Sequence, residues 1–291
     1  MTTEFTARFG SLTVRYISED EPLSPGKHFL PFLTDEQDAA LTVRLRRPER
    51  LRQPRGTLLW GNAKERVYRD GTKEMHYYSI TPPAAMDYIC VCSDSASPAT
   101  VLAELLREIP IHVQSILLSN LEMERLLHRQ GQTVLHASWV MYGKKALLFS
   151  GDSGVGKTTQ AELWNRVRGT RIINGDKTGI AFPKGRPTAI GMPFSGSSSY
   201  CENETAHICA IVMLSQAPEN TIHRLSGAEA VRRLAGQMPC QRWCAEDVTA
   251  VFDYAQRIAE QVPVFDFACT KTEDAVDFLT HALAEGDKNG T

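Results

Sequence analysis

The sequence predicts a mixed α/β chain in two parts, and three observations carry that prediction. Residues 1–95 hold short apolar or alternating runs separated by Pro-, Gly- and Asp-rich turns, the pattern of a β-rich domain. From residue 131 to 285, short apolar runs alternate with amphipathic ones, as strands and helices do in an α/β domain. Near the middle stands Gly151-Asp152-Ser153-Gly154-Val155-Gly156-Lys157-Thr158, which fits the pattern G-x-x-x-x-G-K-[ST].

The length of 291 residues and a hydrophobic content of 42% allow one large domain or two of ordinary size. A net charge of −2 with scattered basic residues leaves no electrostatic footprint for nucleic acid. The one basic run, Arg44-Leu45-Arg46-Arg47-Pro48-Glu49-Arg50, is read as a solvated strand end or loop. No apolar run approaches the roughly 18 residues of a spanning helix, and the N-terminus lacks a charged-then-apolar leader, so a cytoplasmic protein without membrane contact is expected. Seven cysteines cannot all pair within one chain. Of the closest sets, Cys90/Cys92 and Cys240/Cys244, the first is expected to share one face of an alternating strand and pack as small apolar residues, and no second pair or nearby His completes a zinc site.

Taken in order, the β-rich domain has strand candidates at Ser11–Ile17, Ala40–Leu45, Thr57–Trp60, Glu74–Ile80 and Met86–Cys92. Neighbours on a strand point to opposite faces, so of Tyr77 and Tyr78 one is expected in the core and one outside. Two linking helices are expected over 96–130. The first has Ser97 as N-cap and Pro98 in its first turn and runs to Arg107; the second carries Val113, Ile116, Leu117, Leu121, Met123, Leu126 and Leu127. Thr133–Tyr142, a turn at Gly143, and Lys145–Ser150 read as a hairpin. His136 then lies toward the far end of the strand paired with the one entering the glycine-rich loop. On its own, a strand His is a packed or solvent-facing residue.

A helix is expected over Thr158–Arg168, ending at Gly169, and a short strand over Thr170–Asn174. Asp176 follows. It is either a carboxylate placed beside the loop or an ordinary turn former in Asn174-Gly175-Asp176. Two short strands flank Pro183–Pro187, Gly191–Asn203 reads as a candidate active-site loop, and His207–Leu214 as a buried central strand. Helices near Gly227–Gly236 and Ala245–Gln261, a strand over Val262–Ala268 and a helix through Ala275, Phe278, Leu279 and Leu283 complete the domain. Residues 286–291 are read as a disordered tail.

A phosphate cradle needs small residues where the backbone turns tightly, so that N–H groups converge on one anion. Gly151, Gly154 and Gly156 supply that freedom. Lys157 is placed to reach the β/γ-phosphates, Thr158 to put a hydroxyl on Mg2+, and the helix N-terminus to face the anion. Apolar strand, loop and helix stand in the order that a P-loop requires. Gly151, Asp152, Ser153, Gly154, Val155, Gly156, Lys157, Thr158 and Thr159 are therefore the candidate nucleotide-binding set, with ATP and Mg2+ as expected ligands.

Leu135-His136-Ala137-Ser138 on the hairpin strand, the loop Gly-Asp-Ser-Gly-Val-Gly-Lys-Thr, and a strand ending at Asp176 together resemble the HPr kinase/phosphorylase catalytic domain and the wider group sharing the phosphoenolpyruvate-carboxykinase-type nucleotide fold. The likeness spans residues 130–215 and extends toward 285. It implies that His136 lies near the transferred phosphoryl group and that Lys157 binds phosphates. Thr158 would ligate Mg2+, and Asp176 would serve as Mg2+ ligand or as base for an incoming hydroxyl. The family commonly ends this strand with two acidic residues, whereas Gly175 precedes Asp176 here. The Gly-rich signature of the bifunctional enzymes is absent, which places the chain nearer to relatives of HPr kinase than to that kinase itself. The expected activity is an Mg-ATP-dependent kinase acting on a hydroxyl of a protein, peptide or small metabolite. The rivals are a carboxylate or small-molecule phosphotransferase and an ATP-binding regulatory or accessory protein with slow or no transfer. The acceptor's identity and any homo-oligomer are left open.

Overall fold

The computed structural model describes residues 3–79, 86–109, 121, 123–196 and 198–288, and the chain divides by its contacts into two compact units, 1–123 and 124–291. Each is mixed α/β or β with its own eight-stranded mixed sheet.

In the first unit the strands are β1 (Thr3–Phe9), β2 (Leu12–Ser18), β3 (Leu41–Arg46), β4 (Thr57–Gly61), β5 (Glu65–Asp70), β6 (Lys73–Ser79), β7 (Asp87–Asp94) and β8 (Thr100–Leu105), with the helical turn α1 (Gly26–Phe29) after β2. They lie in the order β1-β2-β3-β8-β7-β6-β5-β4. Alternation sets the faces. In β3, Leu41, Val43 and Leu45 are buried while Arg44 and Arg46 point out, where both pair with Glu19 at 2.9 and 2.7 Å. Arg44 and Arg46 of the basic run are thus partnered, and Arg47, expected to be solvated, is buried. Tyr77 is 1% exposed and Tyr78 only part-buried, as alternation requires.

The sequence expectation of a helix over 99–107 is corrected: residues 100–105 are strand β8, parallel to β3 and antiparallel to β7. Val101, Ala103 and Leu105 are buried between those neighbours, and pairing on both edges outweighs the local cap signals at Ser97 and Pro98. Most of the second expected helix lies outside the described residues; its end is helical as α2 (Met123–Arg129).

The second unit contains β9 (Thr133–Tyr142), β10 (Lys145–Ser150), α3 (Lys157–Arg168), β11 (Arg171–Asn174), β12 (Lys177–Ala181), β13 (Thr188–Ile190), β14 (Thr205–Gln216), β15 (Thr221–Arg224), α4 (Gly227–Gly236), α5 (Ala245–Ala259), β16 (Val264–Cys269) and α6 (Asp274–Lys288). Residues 286–288 of the expected tail belong to helix α6, which reaches Lys288; 289–291 lie outside the described residues. Strand β10 sits between antiparallel β9 and parallel β14. Because β9 also pairs β12, β12 pairs β13, and β13 pairs the start of β14, the pairings close into a ring.

Period-2 alternation distributes the core to two faces. From β10, Ala146 and Leu148 join Ala230, Leu234, Val251, Ala255 and Ile258 of α4 and α5. Leu147 and Phe149 join Ala161 and Trp164 of α3 and Ala275, Val276 and Leu279 of α6. Helices therefore cover both sides, as a strand buried on both faces demands. No described helix is long and apolar enough to cross a membrane.

Candidate functional site

The last residue of β10, Ser150, opens the loop whose far end is the first turn of α3. Two glycines make the turn possible. Gly156, the residue preceding the helix, has φ +111°; Gly151 has φ +139°, and a Cβ there would meet the Leu214 carbonyl oxygen at 3.0 Å. The Lys157 ammonium folds back into the loop and donates to the carbonyls of Gly151 (3.0 Å) and Asp152 (3.1 Å). Burial pushes its pKa down, and the charges of Asp176 and Asp152 oppose that shift. Thr158 donates its hydroxyl to the Gly175 carbonyl at 3.2 Å.

Asp176 is delivered by a second turn. Asn174, fully buried at the end of β11, accepts the backbone N–H groups of Asp176 (2.8 Å) and Lys177 (2.9 Å) on its side-chain oxygen. Its amide nitrogen donates to the carbonyls of Met192 and Phe194, so the turn is pinned to the 191–200 segment. Asn174-Gly175-Asp176 is therefore a side-chain-stabilised turn that also aims a carboxylate at the loop. Sequence reasoning passed over Asn174, whose type signalled only a turn.

His136 comes from the N-terminal half of β9, opposite Lys177 of β12, just beyond the point where β9 pairs the loop strand. Its Nε2 lies 3.3 Å from Asp176 Oδ1. That hydrogen bond is the main reason the Asp176 carboxyl is held below the ordinary aspartate value; burial opposes it, and the charges of His136, Lys177 and Lys157 add to it. Asp176 is thus ionised at neutral pH.

His136, Asp176, Lys157 and Thr158 line one cavity of about 250 Å3 together with Ser153, Gly154, Gly156 and Thr159. The structure brings all three candidate catalytic residues into it. Gly151, Asp152 and Val155 of the candidate set instead line a second cavity of about 430 Å3.

Gly175 is small for a steric reason. A Cβ there would lie 2.0 Å from Ser198 Oγ, so a second acidic side chain has no room while the 191–200 segment is in place. Gly196 approaches from the same segment, where a Cβ would sit 2.8 Å from Asp176 Cγ.

No family model matches the chain, and no curated protein does. Among solved structures, one that it resembles distantly is the Hpr(Ser) kinase/phosphatase from Coxiella burnetii, at a TM-score of 0.31 and 10% identity over 53% of this chain and 95% of that one.

Among the described residues no group of three or more His, Cys, Asp or Glu forms a cage. Mg2+ does not need one, since it is held by one or two carboxylates, substrate phosphates and water. A hydroxyl and an ionised carboxylate in one cavity, Thr158 and Asp176, fit such an ion.

Proposed function

We propose that the chain is an Mg-ATP-dependent kinase that moves the γ-phosphoryl group of ATP to a hydroxyl on a protein, peptide or small metabolite. The observation that carries this reading is the meeting, in one cavity, of a glycine-rich loop with its Lys157 and the ionised Asp176 carboxylate, which lies 3.3 Å from His136 Nε2. Phosphoryl transfer asks a protein for alignment and charge stabilisation more than for covalent chemistry, and these groups supply both.

In this reading, the loop N–H groups and the N-terminus of α3 bind the phosphates, and Lys157 exchanges its two carbonyl partners for phosphate oxygens. Thr158 and Asp176 would hold Mg2+, which supplies charge neutralisation when bound. His136 donates to Asp176 and fixes the carboxylate's direction. Alternatively, Asp176 serves the incoming hydroxyl instead of the ion, accepting its hydrogen bond and orienting it; a depressed pKa suits this work better than long storage of a proton.

Transfer of γ-labelled phosphate from Mg-ATP into a cell extract, separated into protein and small-molecule fractions, tests the reading. Label in one fraction that disappears with Asp176→Asn establishes the kinase and its acceptor class. ATP bound without any transfer replaces it with a nucleotide-binding regulator.

A further inference from the structure

Asp152 is an anion inside a loop read as an anion site. A carboxylate next to phosphates is opposed by their charge, and Asp152 is an exposed residue of the loop. Yet its side chain does not line the cavity of Lys157, His136 and Asp176. It faces the second cavity, beside Gln216, Arg232 and Gln237.

A hydrogen bond holds it there: Gln237 Nε2 donates to Asp152 Oδ1 at 2.9 Å. Gln237 is itself anchored, as the residue that ends α4. Its N–H donates to the Leu234 carbonyl at 2.9 Å, and its carbonyl accepts the His136 N–H at 2.9 Å. The amide is a neutral donor on a fixed backbone, and that backbone also carries the strand of the catalytic histidine. Arg233, one turn earlier, is already committed to Asp266.

We infer that Gln237 is a positioning residue that keeps the Asp152 carboxylate turned into the second cavity, so that the loop offers only N–H groups and Lys157 to the phosphates. The inference rests on the phosphate-site reading of the loop. It predicts an electrostatic role, which a merely structural contact would not have.

The test is calorimetric binding of Mg-ATP and of inorganic tripolyphosphate with Mg2+ to the full chain, with thermal melts to confirm folding. Losing a hydrogen bond to a charged group should weaken both probes about tenfold in Gln237→Ala. In an Asp152→Asn background the same substitution should change neither affinity by more than about twofold, because no charge is left to restrain. Equal weakening in both backgrounds, or no weakening in either, overturns the inference. Should Gln237→Ala fail to fold, Gln237→Met keeps the side chain's length without its donor and is read in the same way. Lys157→Ala separates the two levels. If the wild type binds neither probe, or binds both regardless of Lys157, the phosphate-site reading falls and the inference with it. If binding depends on Lys157, that reading stands and the residue 237 variants decide.

Discussion

Lys157 and Asp176 share one cavity with opposite tasks, and their substitutions should separate binding from turnover. Lys157 donates to two loop carbonyls, so its ammonium is held where the phosphates are proposed to lie. Lys157→Ala should weaken Mg-ATP binding by about 1.5–3 kcal/mol, roughly 10- to 150-fold, when read by calorimetry. Unchanged affinity and turnover there would remove the phosphate-cradle assignment. Asp176→Asn keeps the shape and removes the charge; turnover should fall roughly 10²- to 10⁴-fold while ATP still binds. His136→Ala should slow transfer without lowering the melting temperature appreciably, since the ring is part-exposed and not a core residue. Normal kinetics in that variant would return His136 to a packing role.

At the scale of elements, the Asn174–Asp176 turn and the 191–200 segment form one device. Ser198 fills the space that a side chain at 175 would need. Gly175→Asp should therefore destabilise the second unit by about 1–3 kcal/mol through overpacking, and Ser198→Gly should recover part of it in the double variant. Scanning calorimetry of the three chains checks this; additive losses would show that the two positions do not compete. This coupling also marks what the sequence could and could not disclose. The hairpin, the loop, the helix after it and the central strand were legible, because each carries its own period or turn chemistry. Lys157 could be nominated for the same reason and Asp176 as one of two readings of its turn, whereas His136 was nominated by the family resemblance alone. Gln237, Ser198 and the pinning by Asn174 were not legible, since their partners lie 85, 23 and up to 20 residues away and no local pattern encodes them. Strands β1, β5 and β15 went unread. Val101-Leu102-Ala103-Glu104-Leu105 was misread as helix because its runs lack alternation, and only its two neighbours decide its state.

For the whole molecule, carboxylates with lowered pKa occur in both units. Burial pushes Glu104 up, but hydrogen bonds and charge from Arg52 take it below its ordinary 4.5. Burial likewise opposes, and the His128 bond at 2.7 Å with the Gln241 N–H outweighs, at Asp247; it and Asp176 lie below 3.8. A folded-state pKa below the unfolded one contributes stability that is full above the unfolded value and is lost as pH falls through the folded one. Stability from these groups should thus be constant from pH 6 to 8 and decline only below about 4.5, Glu104 first and the aspartates below 3.8. Acid titration by circular dichroism checks it: Glu104→Gln should flatten the early decline, and a decline beginning near pH 6 would assign acid sensitivity to other groups.

The ring of strand pairings in the second unit has a consequence for how the protein is made. His136, the loop and Asp176 have all been synthesised by residue 176, yet the strand that closes the ring, Thr205–Gln216, and the helix end that fixes Asp152 at Gln237 come later. A ribosome-bound chain that has exposed only the first 180 residues holds every group of the site in its sequence, with β10 lacking its parallel neighbour and Asp152 lacking its restraint. Nucleotide capture by nascent chains of increasing length should accordingly switch on after Gln237 has emerged, and not when Asp176 does.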